Sequence, residues 1–148
     1  MRYVLDTNIL LHAMRNETFR KNLIHNYRLF QSPNQTILSA VSVGEIYSLA
    51  LRNRWGEVRL NQLLRFLQKF TTVPVTDDPT FIEIYAEIDV FSQSHHPTLP
   101  LTTTARKMGK NDLWIATTAA LFNATLITTD QDFTHLKDVF IDLETLTV

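Results

Sequence analysis

Short runs of strand-forming residues alternate with longer segments of helical periodicity along the whole chain, and this alternation restricts the possible folds most. The predicted strands cover residues 3–5, 36–39, 73–75, 126–129 and 139–141. Strands that alternate with helices predict right-handed crossovers and a parallel sheet covered by helices on both faces. We therefore expect a three-layer α/β/α domain with a central parallel sheet of about five strands.

The segments between these strands repeat apolar residues at helical spacing. They predict helices over residues 7–15, 18–30, 42–54, 58–70, 79–91 and 112–123. The helices at 42–54 and 58–70 carry more apolar residues than one narrow face needs, which predicts a protruding helical pair with an apolar side for a partner. A broad buried face in a monomer is the alternative. Residues 94–110 form one long irregular segment, and long loops in compact domains are usually functional or mobile.

The composition excludes several classes of protein. The chain has no cysteine, so thiolate zinc sites and cysteine nucleophiles are excluded. Three glycines are too few for a glycine-rich phosphate-binding loop. A net charge of −1 argues against a strongly basic nucleic-acid binder. No apolar stretch is long enough to span a bilayer, and no linker divides the sequence, so we expect a single cytoplasmic domain over residues 1–148.

Four carboxylates occur where the predicted strands end or where the neighbouring helices begin. Asp6 directly follows the first strand, and Asp130 directly follows the fourth. Glu45 lies in the first turn of the helix after the second strand, and Asp112 begins the helix that leads into the fourth. Ligand sites in parallel sheets lie beyond the carboxyl ends of the strands. We therefore expect these four acids to meet at one edge of the sheet.

Four unpaired carboxylates at one place repel each other, and each raises the pKa of its neighbours. A divalent cation removes this penalty, and an all-oxygen ligand set favours Mg²⁺ or Mn²⁺ over zinc. Two such ions can activate water, orient a phosphate and stabilise the leaving oxygen. The acids therefore predict a site for hard divalent cations.

Each acid also has a simpler interpretation as a local structural residue. Asp6 is a suitable N-cap for the first helix, and the segment from Ser42 to Glu45 fits the S-x-x-E capping box. Asn111 followed by Asp112 fits an N-cap and an acid at the positive end of a helix. The acid after the fourth strand could initiate a turn. Only the coincidence of all four on one predicted edge favours the metal site.

Three segments resemble the signature motifs of PIN-domain nucleases. Residues 4–11 (VLDTNILL) resemble the opening motif, residues 111–117 (NDLWIAT) the central acidic motif and residues 126–133 (LITTDQDF) the last motif. The segment 39–51 around Glu45 is similar to the glutamate helix of that family in position and pattern. With its size and short helical insert, the sequence looks most like the VapC-type toxins of bacterial toxin–antitoxin pairs.

The resemblance implies a metal-dependent endoribonuclease with a PIN-like fold. It implies that Mg²⁺ or Mn²⁺ is held by Asp6, Glu45, Asp112 and Asp130. It also implies that four further side chains support these acids, namely Asn8, Asn111, Thr129 and Asp132. Thr129 would do so through a hydrogen bond. The partners it implies are an RNA substrate, an antitoxin in a groove at the helical pair, and a second copy of the chain elsewhere.

Basic residues cluster at the end of the long irregular segment. Arg106, Lys107 and Lys110 immediately precede the central acidic motif, which predicts phosphate binding at the mouth of the site. A solvated loop is the alternative. Arg52 and Arg54 suit the negative end of the predicted helix dipole, and we interpret them as structural.

Other functions remain to be distinguished from ribonuclease activity. DNA cleavage or general RNA processing within the PIN family is the nearest alternative, and a binding module with a degenerate site is a second, although an intact acid set counts against it. A phosphatase of the haloacid-dehalogenase type also places an acid after its first strand. Those enzymes need a second aspartate two residues later, where this chain has Asn8.

Overall fold

Five strands form one parallel sheet in the computed structural model, which describes all 148 residues. The strands are β1 Arg2–Leu5, β2 Gln35–Ser39, β3 Thr71–Val73, β4 Thr125–Thr128 and β5 Asp142–Thr145. Their order in the sheet is β3-β2-β1-β4-β5, and every neighbouring pair is parallel. The predicted α/β architecture with a parallel five-stranded sheet is confirmed.

Six α-helices and one 3₁₀ helix connect or follow the strands. They are α1 Thr7–Arg15, α2 Glu17–Tyr27, α3 Ala40–Arg52, α4 Glu57–Leu67, α5 Pro79–Ser92, α6 Lys110–Leu121 and the 3₁₀ helix Gln131–Leu136. None of these helices combines the length and the hydropathy that a membrane-spanning segment requires.

The sheet separates two apolar cores, because successive residues of its central strands face opposite sides. On one side Val4 and Leu126 pack with residues of α5, α6 and the 3₁₀ helix. On the other side Leu5 and Ile127 pack with residues of α1, α2, α3 and α4. Helices therefore cover both faces of the sheet, which gives the three layers that the sequence predicts.

The strand order creates a crevice between β1 and β4. The chain moves outward from β1 through β2 to β3 at one edge, and then returns to place β4 on the other side of β1. The connections that leave β1 and β4 therefore go in opposite directions. Ligands bind at such a reversal, beyond the carboxyl ends of the two strands. This edge is where Asp6 and Asp130 lie.

The start of α3 differs from the prediction in a way that affects Glu45. The N-cap is Ser39, whose hydroxyl accepts a hydrogen bond of 3.2 Å from the Val41 N–H. The helix consequently begins two residues earlier than predicted, and the proposed capping box from Ser42 to Glu45 is wrong. Glu45 lies in the second turn, where helix capping does not explain it.

The start of α6 differs in a similar way. Gly109 is the N-cap and makes no side-chain capping hydrogen bond, so Asn111 is a helical residue and not the predicted cap. Asp112 remains in the first turn of the helix, as predicted. The positive end of a helix stabilises an acid at this position.

The last predicted strand is wrong. Residues 138–140 form a turn, and Ile141 makes only an isolated bridge to Lys137. The N–H groups of Phe140 and Ile141 both donate to the Leu136 carbonyl, at 3.0 and 3.3 Å. The fifth strand follows this turn at Asp142–Thr145 and pairs with β4. The helices α2 and α4 also end three residues before their predicted ends. Phe30 and Phe70, which extended both helical patterns, instead pack against each other with ring centroids 5.0 Å apart.

Candidate active site

Asp6 lies at the centre of the crevice, directly after β1. It is only 4% exposed, and its N–H continues the sheet by donating to the Ile127 carbonyl at 3.0 Å. One carboxylate oxygen accepts from the Thr7 N–H at 2.7 Å, and the other accepts from the Thr128 hydroxyl at 2.7 Å. Asp6 therefore caps α1, as the simpler interpretation predicted, and its carboxylate is held in one orientation.

Glu45 reaches the same edge from α3. Its Oε1 accepts a hydrogen bond of 2.9 Å from the hydroxyl of Thr7, the first residue of α1. The same residue thus donates its N–H to Asp6 and its hydroxyl to Glu45. Thr7 links two acids that lie far apart in the sequence.

Asp112, Asp130 and Asp132 form a tight group beside Asp6. Each offers a carboxylate oxygen, and these three oxygens lie within 4.8 Å of one another. Asp130 caps the 3₁₀ helix by accepting from the Asp132 N–H at 2.9 Å, and its own N–H donates to the Thr128 hydroxyl at 2.9 Å. Thr128 therefore connects this group with Asp6.

The charges of these acids act on one another. The pKa of Asp112 is raised to about 6, first by burial and then by the negative charges of Asp6, Asp130, Glu45 and Asp132. The pKa of Asp6 is also raised, mainly by burial, although the hydrogen bonds from Thr128 and Thr7 oppose the shift. Oxygen donors with this much uncompensated negative charge fit a hard divalent cation such as Mg²⁺ or Mn²⁺.

The geometry agrees with a comparison against known families. The family model of the PIN domain matches residues 3–139. The chain belongs to the PIN-domain family. A search among curated proteins gives no match.

Solved structures with a similar fold include several toxin–antitoxin proteins. VapBC2 from Rickettsia felis, bound to a DNA fragment from their promoter, is 23% identical with a TM-score of 0.73, and 98% of each chain is covered. VapBC-1 from nontypeable Haemophilus influenzae is 21% identical, with a TM-score of 0.73 and the same coverage. VapBC-5 from Mycobacterium tuberculosis is 23% identical, with a TM-score of 0.58 and 99% and 98% of the two chains covered. At these identities the similarity establishes the fold of this PIN domain.

The hydroxyls that hold the acids of this PIN domain differ from those expected. Thr128, not Thr129, donates to Asp6. The parallel register explains this choice, because it pairs Leu5 with Ile127 and therefore places residue 6 beside residue 128. Asn8, which the resemblance assigns a supporting role, is exposed, and the hydrogen bonds to Asp6 and Glu45 on this helix come from the buried Thr7.

The two other supporting residues lie at the rim of the site. Asn111 is exposed and lines a groove that also contains Glu45. Asp132 is exposed as well, yet its carboxylate belongs to the group formed with Asp112 and Asp130. Five acids therefore occupy this edge of the PIN domain, where the sequence patterns single out four as metal ligands.

Arg106 contacts an acid of the site. Its guanidinium Nη1 donates to the Asp132 carbonyl at 3.2 Å and lies 3.6 Å from the Asp132 carboxylate. Its backbone N–H donates to the Ser92 carbonyl at 2.8 Å, so the residue ties the irregular segment to both α5 and the 3₁₀ helix. Lys107 and Lys110, the other basic residues of this cluster, are exposed and take part in no ion pair.

A buried histidine, which no sequence pattern identified, anchors the 3₁₀ helix of the PIN domain. The Ser92 hydroxyl donates to the Ile88 carbonyl at 2.8 Å, and it lies 2.7 Å from Nε2 of His135. Burial and the nearby Arg106 lower the pKa of His135 to about 4, so the imidazole is neutral at pH 7. The serine hydroxyl and the imidazole Nε2 therefore share one hydrogen bond inside the fold. This bond fixes the helix that follows Asp130.

Proposed function

We propose that this PIN domain is a metal-dependent endoribonuclease that hydrolyses RNA phosphodiester bonds. The observation that carries the proposal is the close approach of the Asp112, Asp130 and Asp132 carboxylates, within 4.8 Å, beside the buried Asp6. Like charges are brought this close at a cost to stability, which is typical of functional sites. Membership of the PIN-domain family supports nuclease activity for this arrangement.

Four of the acids would hold Mg²⁺ or Mn²⁺, namely Asp6, Glu45, Asp112 and Asp130. When bound, the metal neutralises the phosphate charge and activates water as a Lewis acid. Thr7 and Thr128 would keep the donor oxygens oriented, because their hydroxyls bind Glu45 and Asp6. Asp132 would support the group through its N–H bond to Asp130.

The chain needs no nucleophile of its own for this reaction. Water would attack phosphorus and lose a proton, the bond from phosphorus to the leaving oxygen would break, and that oxygen would gain a proton, which gives a phosphomonoester end and a hydroxyl end. The pKa of Asp112 is raised to about 6 when no cation is bound, so the positive charge of a cation would lower this pKa and favour the ionised carboxylate. The acids therefore serve to hold the cation and to orient water and phosphate beside it.

Cleavage assays with purified variants test this proposal. We expect Asp6→Asn and Asp112→Asn to abolish cleavage of structured RNA in Mg²⁺ or Mn²⁺ and to remain folded by circular dichroism. EDTA should abolish cleavage by the wild-type protein. Asp142→Asn is the matched control, because Asp142 is exposed at the start of β5, on the opposite edge of the sheet.

RNA and DNA substrates in the same assay distinguish the alternative functions. Cleavage of single-stranded DNA in preference to RNA would replace the ribonuclease proposal with a deoxyribonuclease. A protein that binds nucleic acid but cleaves neither substrate would be a binding module. Full metal-dependent activity in Asp6→Asn would contradict the assignment of the site itself.

We further propose that the protein is the toxin of a type II toxin–antitoxin pair and acts in the cytoplasm. Structural neighbours named VapBC support this, and so do exposed apolar side chains on α3 and at the start of α4. Leu51 is 76% exposed and Val58 is 73% exposed, which is typical of an interaction surface. The antitoxin would cover this surface, and a second copy of the chain would bind elsewhere.

Co-expression tests the toxin proposal separately from the chemistry. A small gene adjacent to this one should encode a protein that co-purifies with the PIN domain and suppresses its ribonuclease activity. Leu51→Lys should weaken that association and leave cleavage by the free protein unchanged. Arrest of growth by the PIN domain alone, relieved by the adjacent gene, is the expected phenotype. Absence of both effects would favour a general nuclease.

A further inference from the structure

A shallow groove runs along α3 away from the acids. We call it the α3 groove, and its lining residues are Val41, Gly44, Glu45, Ser48, Arg52 and Asn111. Glu45 contributes to the acidic edge, and Asn111 directly precedes Asp112. The α3 groove is therefore continuous with the candidate active site.

Gly44 is exposed in the interior of α3, where no feature of the chain requires a glycine. A glycine inside a helix destabilises it relative to alanine. A Cβ at Gly44 would meet no atom within 4 Å, so close packing does not explain the residue. No glycine of the chain has a positive φ, so backbone conformation does not explain it either. The space beside Gly44 is open to a molecule from outside the chain.

Arg52 lies at the far end of the α3 groove, as the last residue of α3. It is exposed, and none of the chain's three ion pairs includes it. Its position seven residues after Glu45 corresponds to roughly 10 Å along the helix axis. Arg106, by contrast, is bonded to Asp132. Arg52 is thus a free cation on the same surface as the acids.

We propose that the α3 groove binds the nucleic-acid strand next to the cleaved bond, with Arg52 contacting a phosphate near the scissile one. This inference rests on the proposed nuclease function. Gly44 leaves room for the sugar–phosphate backbone to lie against the helix, while Ser48 and Asn111 offer uncharged hydrogen-bonding groups beside it. Contacts of this kind position a strand without reading its sequence.

The chemistry of the groove favours a polynucleotide over a protein segment. Val41 is the one apolar residue among its lining residues, whereas the buried centre of a protein interface is mostly apolar. A strand with a phosphate at each nucleotide can place one phosphate at the acids and another at Arg52. A single phosphate group cannot reach both places.

Binding of a labelled oligoribonucleotide by anisotropy tests the role of Arg52. All variants carry Asp112→Asn, so that cleavage does not interfere. We expect Arg52→Gln to weaken binding about tenfold, as loss of one charge-assisted contact would. The slope of log K against log salt should also fall by about 0.7, the value for one phosphate on a single strand. Arg65→Gln is the matched control, since Arg65 is exposed on α4 and lines a different groove.

Gly44→Leu tests the space in the groove. Leucine forms helices better than glycine, so the melting temperature should stay the same or rise. Binding should nevertheless weaken more than tenfold, because the new side chain occupies the path of the strand. Gly44→Ala should give a smaller loss. Weaker binding by a protein of equal or higher stability excludes a folding defect as the cause.

The failure of this inference differs from the failure of the proposed function. Wild-type cleavage of RNA, together with binding by Arg52→Gln and Gly44→Leu that equals the Arg65→Gln control, would overturn the groove assignment alone. A wild-type protein that neither binds nor cleaves nucleic acid would overturn both proposals.

Discussion

Asp112 destabilises the folded protein at neutral pH when no cation is bound. Its pKa is about 6 in the folded chain and near 3.8 in the unfolded chain, so the folded state binds more protons between these values. Stability therefore falls as pH rises through this window and stays reduced above it. We expect Asp112→Asn to raise the free energy of unfolding by about 1 kcal/mol at pH 7, a value reduced for partial exposure.

Urea unfolding in EDTA measures this effect. The gain from Asp112→Asn should shrink between pH 7 and pH 4, because the wild-type carboxyl is then protonated. Asp142→Asn, at the exposed start of β5, should show no such gain. A loss of stability in Asp112→Asn at pH 7 would contradict the proposed repulsion among the acids.

The hydroxyl of Thr128 connects two acids of the site, Asp6 and Asp130. Thr128→Val keeps the shape of the side chain but removes the hydroxyl that donates to Asp6 and accepts from the Asp130 N–H. We expect metal-dependent cleavage to fall about 10- to 100-fold, as for other groups that orient metal ligands. Single-turnover kinetics measure the loss. Thr129→Val is the control, and a greater loss there would restore the original expectation from the sequence.

The sequence identifies the acids of the site better than the hydroxyls that orient them. The positions of Asp6 and Asp130 beside two apolar strands are enough to predict a shared edge. The choice between Thr128 and Thr129 depends on the residue at which β4 ends and on its register against β1. A difference of one residue reverses the side of the sheet that a side chain faces.

At the scale of elements, two serines at the start of α3 test the corrected helix boundary. Ser39 is the N-cap, so Ser39→Ala should cost about 1 kcal/mol of stability. The hydroxyl of Ser42 is buried and has no hydrogen-bond partner. Ser42→Ala should therefore be neutral or stabilising, because it removes an unsatisfied polar group. Chemical denaturation of both variants measures the difference, and the reverse order would support the capping box predicted from the sequence.

The fifth strand was missed for a physical reason. Three of the four residues in β5 are exposed, and Leu143 alone is buried. An edge strand of this kind carries little apolar signal. The strand is predicted instead at the apolar residues just before it, although the N–H groups of Phe140 and Ile141 donate to the Leu136 carbonyl. By contrast, β1 and β4 are buried central strands, and both were predicted to within one residue.

At the scale of the whole molecule, the sequence predicts the layers but not the order of the strands. Alternation of strands and helices is sufficient for a parallel sheet with two helical layers. The placement of β4 beside β1 depends on how the helices pack together, which no local pattern encodes. The crevice that collects the acids therefore follows from tertiary packing.

Binding of a cation should stabilise the whole fold, because the acids come from segments throughout the chain. A ligand at 100 times its dissociation constant adds about 2.7 kcal/mol, or roughly 5–10 °C in melting temperature for a chain of this size. We expect this shift with Mn²⁺ for the wild type and for Asp142→Asn, with reversal by EDTA. Asp6→Asn should show little or no shift. Thermal scans at increasing Mn²⁺ concentration measure the effect, and an equal shift in Asp6→Asn would place the cation elsewhere.

The irregular segment between α5 and α6 divides the four proposed metal ligands into two pairs. Asp6 and Glu45 precede it, whereas Asp112 and Asp130 follow it. A chain divided within this segment would give two fragments, each with two of these four acids and only part of the sheet. For the proposed nuclease, neither fragment alone would cleave RNA, and activity would require both fragments to reassemble. A premature stop codon before Asp112 would likewise remove two of the four acids and with them the proposed cleavage activity.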